Sequence, residues 1–220
     1  MRVTPKSFLL NDEVHSYLLD HSEPIDDVQR DLIEETAALG DVFSMQIAPE
    51  QGAFMTMLTR LMGVTSAIEI GTFTGYSALA IARGLPPGGR LLSCDVSPEW
   101  TNVAQRYWDR AGIADRIELR LGPALETLRA LPQDPAYDLA FIDADKTEYS
   151  AYVEELYPRM RTNGLIIIDN VLRDGQVIPG NERNDEDRMI QAFNHALAVD
   201  QRFETVLLPL ADGLTFLRKR

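Results

Sequence analysis

With 220 residues, 45% of them hydrophobic and 25% charged, the chain is long enough to bury one sizeable core and too apolar to stay disordered. Its formal net charge of -13 argues against nucleic-acid or anionic-membrane partners, because both need clustered Lys and Arg. Cys94 is the lone cysteine, which excludes an internal disulfide, and the absence of a signal-like start or a membrane-length apolar run makes the cytoplasm the expected location.

The first 65 residues carry helical spacing. Apolar positions recur in Phe8, Leu9, Val14, Tyr17 and Leu18, then in Val28, Leu32, Ile33 and Leu39, then in Phe54, Met57, Leu58 and Leu61. Three helices are therefore predicted, with Gly40, Pro49 and Gly52 as punctuation. From residue 66 the rhythm changes to short apolar runs, each followed by a turn cluster and a helix-length segment. Strands are predicted at 67–70, 90–95, 117–121, 137–142 and 165–169, too continuously apolar for a sheet with a wet face, so helices should cover both sides of a parallel sheet. A loop over 171–184, a covering helix near 186–199 and a closing antiparallel hairpin of 203–208 with 214–217 complete the chain. The acidic run at 185–187 is expected to be a solvated helix start. The division is one α/β domain over 1–220, with helices over 1–65 and a sheet core over 66–220.

The segment EIGTFTGYS, from Glu69 to Ser77, follows a predicted strand and opens a predicted helix, where glycines let backbone approach a ligand. Asp95 ends the next strand, where a carboxylate can accept from ribose hydroxyls. The spacing is not G-x-G-x-x-G, and the acidic Glu69 at the loop mouth suits an ammonium or sulfonium group better than a pyrophosphate. S-adenosylmethionine carries both positive groups and no phosphate.

Two further strand ends are polar. Asp143-Ala144-Asp145-Lys146 closes one and Asp169-Asn170 the next, at the edge where open parallel sheets hold their ligands. Carboxylates with an amide oxygen are hard donors that suit Mg2+, with Mn2+ or Ca2+ as alternatives. Vicinal hydroxyls of a substrate would fill open positions on such a cation. Lys146, three residues after Asp143, is a candidate general base. Each of these residues taken alone also fits a plain turn, cap or surface side chain; their joint occurrence at successive strand ends points to a site. His15, His21 and His195 have no spacing of a metal site or triad, and Cys94 is expected to be a small buried hydrophobe.

On the strings EIGTFTGYS, FIDADK and IIIDN in this order, together with Lys6-Ser7-Phe8-Leu9-Leu10, Gly122-Pro123-Ala124 and the segment 196–200, the chain resembles the cation-dependent class I O-methyltransferases. These are the caffeoyl-coenzyme A O-methyltransferases and their bacterial relatives, with catechol O-methyltransferase a more distant cousin. The resemblance implies a Rossmann-like fold, with a mostly parallel seven-stranded sheet, flanking helices, an antiparallel C-terminal hairpin and a homodimer. It implies methyl transfer from S-adenosylmethionine to a hydroxyl of a catechol-like phenol, with Asp143 and Lys146 catalytic. Asp143, Asp169 and Asn170 would hold the metal. Ile47, Glu69, Gly71, Thr72, Ser77, Asp95, Ala124, Asp143 and Asp145 would line the cofactor pocket, and Lys6, Lys146, Asn170 and Arg173 would meet the substrate. After Asn170 the chain departs from the plant enzymes, with Val171-Leu172-Arg173-Asp174-Gly175-Gln176 and a shorter loop. The alternatives are a nicotinamide-dependent oxidoreductase, against which the missing G-x-G-x-x-G counts, and a non-catalytic cofactor-binding protein, against which the retained Lys146 and ligand set count.

Overall fold

The computed structural model describes residues 10–220, so Lys6, Phe8 and Leu9 lie outside the described residues. Helices α1 (Asp12–Asp20), α2 (Asp27–Ala37) and α3 (Pro49–Met62) come first, as the helical spacing predicts. The Asn11 and Asp26 side chains cap the first two by accepting from Val14 N and Gln29 N, and Pro49 opens the third, where a missing N–H leaves no bond unmade. Gly52, expected as punctuation, instead lies inside α3. A Cβ there would stand 2.7 Å from Tyr76 Cε1, so its bareness lets α3 press onto the helix that carries Tyr76.

Strands and helices then alternate as β1 (Ser66–Ile70), α4 (Tyr76–Gly84), β2 (Arg90–Asp95), α5 (Pro98–Arg110), β3 (Ile117–Leu121), α6 (Ala124–Ala130), β4 (Tyr137–Ile142), α7 (Tyr149–Leu156), β5 (Met160–Ile168), α8 (Asp185–Val199), β6 (Phe203–Leu208) and β7 (Leu214–Lys219). They build a seven-stranded sheet in the order β3-β2-β1-β4-β5-β7-β6. The first five strands pair in parallel, and β7 runs antiparallel between β5 and β6. The seven-stranded, mostly parallel sheet with its antiparallel hairpin is thus present. Only β5 differs much from its expected span: it starts at Met160, five residues before 165, because the left-handed Asn163 (φ 66) and Gly164 make a register shift that breaks the apolar run.

Alternation along the central strands divides the core into two layers. Ala67, Leu139, Phe141 and Ile167 pack with Met55, Leu79 and Trp108 of α3, α4 and α5, whereas Ile68, Ile70, Ile142 and Ile168 pack with Tyr149, Phe193 and Leu197 of α7 and α8. Among the described residues no helix is long and apolar enough to cross a membrane.

Candidate active site

The carboxyl ends of β1, β2, β4 and β5 open onto one cavity of about 1190 Å3, lined by residues from Ile33 to Asp212. Its floor begins where β1 turns into α4. Gly71 N donates to Cys94 O at 2.9 Å and Asp143 N to Ile70 O at 2.8 Å, so the glycine turn is fastened to the strand on either side. Gly71 has φ 93, and a Cβ on it would fall 2.0 Å from the Asp143 carbonyl oxygen. Gly75, φ 86, would meet the Ala104 Cβ at 2.5 Å, and its carbonyl accepts from Trp108 Nε1 at 3.1 Å. Both glycines permit a close approach of neighbouring protein, and Gly71 also borders the cavity.

Two acidic residues of the expected cofactor pocket have different surroundings from those the sequence suggested. Asp95 lines the cavity, but its Oδ2 accepts from Thr72 N at 2.9 Å and Phe73 N at 2.8 Å, and its Oδ1 from Ser97 N at 2.7 Å. These bonds pin the turn and hold the Asp95 carboxylate at the cavity edge, with acceptor capacity left on Oδ1. Glu69 is not at the loop mouth. On β1 it takes the same face as Ala67, so it points beneath α4, opposite its register partner Ser93, and is 0% exposed. Burial pushes its carboxyl up to about 7, against the opposing influence of Ser77 and Ser93. Oε2 accepts from Ser93 Oγ, while Oε1 has no hydrogen-bond partner among the described residues.

The second polar cluster lies at the ends of two neighbouring strands. Ile142 and Ile168 are register partners, so Asp143 and Asp169 leave adjacent strands side by side. Lys146 Nζ donates to Asp143 Oδ1 at 2.8 Å, both side chains being mostly covered. Asp169 is 2% exposed; burial first, then the negative charge of Asp143, lifts its carboxyl well above the usual carboxylate range. Its Oδ1 accepts from Asn170 N and its Oδ2 from Gln51 Nε2, each at 2.6 Å. Among the described residues no three His, Cys, Asp or Glu side chains gather at metal-binding distance, so a cation here would need the Asn170 amide as its third protein donor. The donor set fits a hard divalent ion: oxygen only, two carboxylates, and a deeply buried negative charge short of compensation.

The far wall comes from the loop after β5, from α8 and from the β6–β7 turn. Arg173 donates through Nε to Asp187 Oδ1 at 3.1 Å and through a terminal nitrogen to Glu186 Oε2 at 2.7 Å. Asp187, expected to be solvated, is therefore 2% exposed, because it serves this arginine and the Arg183 backbone N–H. Leu172 N donates to Asp212 O at 2.9 Å and Asp174 N to Asp212 Oδ1 at 2.7 Å. Phe73, Asn170, Arg173, Asp174 and Ala211 all line the cavity with positive φ, from 48 to 54 degrees. Such backbone persists where the surroundings over-determine it, and it concentrates at working sites.

Ile47, Gly71, Thr72, Ser77, Asp95, Ala124, Asp143, Asp145, Lys146, Asp169, Asn170 and Arg173 all border the one cavity. Glu69 lies behind it, and Lys6 lies outside the described residues. Asp145 turns part of its carboxylate inward to the chain, accepting from Thr147 N and Oγ1. Sequence reasoning missed Gln51, the neighbours of Ile47 between Phe43 and Pro49, and Ala211 with Asp212. The first two sit where only helical spacing was legible, and the last two had been assigned to a remote hairpin turn; no local pattern marks any of them.

The chain is similar to known proteins over nearly its whole length. The model of the O-methyltransferase family matches residues 20–220. The probable caffeoyl-CoA O-methyltransferase 2 of Dictyostelium discoideum is 37% identical over 213 residues, covering 95% of this chain and 92% of that protein. Caffeoyl-CoA O-methyltransferase 2 of Eucalyptus globulus is 35% identical over 226 residues, covering 97% and 91%. Among solved structures, an O-methyltransferase from Bacillus cereus in complex with SAH superposes with a TM-score of 0.86 at 31% identity, covering 94% of this chain and 97% of that one.

Proposed function

From the premise that this chain belongs to the O-methyltransferase family, as an S-adenosylmethionine-dependent enzyme of the caffeoyl-CoA O-methyltransferase type, we propose that it methylates one hydroxyl of a vicinal dihydroxy aromatic with the help of a divalent cation. The observation that carries this reading is the meeting of Asp143, Asp169 and Lys146 at neighbouring strand ends, beside Asn170, in the cavity that also holds the Gly71 turn.

Asp143, Asp169 and Asn170 would hold the cation. When bound, it would supply Lewis acidity toward two adjacent phenolic oxygens, while the cofactor supplies the methyl group. Lys146 Nζ, tied to Asp143 Oδ1 at 2.8 Å, is the group positioned to hold or move the acceptor's proton. Gly71, Thr72 and Ser77 at the β1–α4 turn, with Ala124 and Ile47 opposite, would enclose the cofactor and exclude water. The far wall carries Asp212 and the ion-paired Asp174 and Glu186, and the substrate in this reading is a small phenol.

The test is turnover of a catechol panel with labelled cofactor. Excess chelator is expected to lower the rate at least ~100-fold, with recovery on adding Mg2+ or Mn2+. Asp169→Ala should show the same loss while S-adenosylhomocysteine still raises its melting temperature. Full activity in excess chelator would remove the metal from the proposal.

A further inference from the structure

Resting on the metal reading above, we infer that Gln51 is a positioning residue for the cation site, its side-chain amide fixing the orientation of the Asp169 carboxylate from the first turn of α3. Gln51 is 1% exposed, and its Nε2 donates to Asp169 Oδ2 at 2.6 Å across 118 residues of sequence. Among the described residues it is the one side chain that donates to that carboxylate; the backbone N–H of Asn170 serves the other oxygen. Each oxygen then keeps a lone pair for a cation, and rotation of the carboxylate would break one donor bond or the other.

The helix turn that carries Gln51 is closely packed. Gly52 lets α3 approach Tyr76, where a Cβ would stand 2.7 Å from the ring, and Gly52 N donates to Ala48 O at 3.0 Å in the opening turn. A residue present here only to fill space would be apolar, as Met55 is one turn later, because a buried amide needs a partner to offset its desolvation. Charge argues for the amide too. A third carboxylate beside Asp143 and Asp169 would add repulsion, whereas glutamine donates without changing the cluster's charge. Partners that orient metal-ligating groups typically matter about 10- to 100-fold in metal affinity.

The test uses the whole chain and Mn2+, read by the magnetic resonance signal of the free ion. Gln51→Met keeps length and removes the donor; Gln51→Ala removes both. Each is expected to bind Mn2+ about 10- to 100-fold more weakly than the unsubstituted protein. S-adenosylhomocysteine affinity without added cation should change by less than about twofold, and the apparent KM for Mg2+ should rise while kcat at saturating Mg2+ is largely kept. Unchanged Mn2+ affinity in a folded Gln51→Met protein overturns the assignment and leaves the metal reading standing. Absence of Mn2+ binding by the unsubstituted protein overturns both. Should the Met variant fail to fold, Gln51→Ala and Gln51→Asn carry the same comparison.

Discussion

A methyl group at position 71 would collide with the Asp143 carbonyl oxygen at 2.0 Å and would have to adopt φ 93, whereas at Gly88, φ 84, a Cβ meets nothing within 4 Å. The two substitutions separate steric from conformational cost. Gly71→Ala is expected to lose about 3 kcal/mol or fail to fold, and Gly88→Ala about 1 kcal/mol, measured by urea midpoints. Equal losses would show that the turn yields easily. Glu69 gives a prediction in pH. Its carboxyl is raised from 4.5 to about 7, so between those values the folded protein holds a proton that the unfolded chain has released. Stability should therefore fall as pH rises through that window and level off above it. Glu69→Gln should make the slope shallower without abolishing it, since Asp169 shifts the same way; identical slopes across pH 4.5 to 7 would exclude Glu69 as a contributor. Residue types were legible in the sequence, but directions were not. Glu69 and Asp143 both stand at strand ends, and which of them faces a ligand depends on strand parity and on the helix packed above.

At the scale of elements, the loop after β5 is clasped from both sides: Arg173 reaches the first turn of α8, and the β6–β7 turn receives Leu172 N and Asp174 N. Arg173→Ala would leave the nearly buried Asp187 without its cation, a loss of roughly 1–3 kcal/mol concentrated in this loop. Amides of residues 173–184 should then exchange about tenfold faster, while those of β1, β4 and β5 stay protected. Uniform acceleration across the sheet would instead mean that the clasp supports the whole fold. Most strands were legible because both faces of β1, β4 and β5 are buried, which forces continuous apolar runs. The early part of β5 was not, because Asn163 and Gly164 interrupt the run. The contribution of the terminal hairpin to the cavity was hidden too, because β7 is inserted beside β5 by pairing across nearly fifty residues of chain.

Over the whole molecule, the helices before residue 66 and the sheet after it share the cavity. Ile47 and Gln51 come from the first part, and the acidic strand ends from the second. Periodicity distinguishes the helical from the βαβ segments, yet it carries no information on which buried polar side chain will meet which strand end 118 residues away. The contact between Gly71 and Asp143 has a thermodynamic consequence. The turn that would carry the cofactor and the turn that would carry the cation lean on each other through backbone, so a displacement of one must be accommodated by the other. The two ligands should therefore be cooperative, and reciprocally so: S-adenosylhomocysteine is expected to tighten Mn2+ binding about tenfold, and Mn2+ to tighten S-adenosylhomocysteine by the same factor. Superimposable Mn2+ isotherms with and without S-adenosylhomocysteine would show that the two turns deform independently. With coupling of this size and both ligands at balanced concentrations, roughly a quarter of the molecules would be half-loaded at the midpoint of filling, against about half without it.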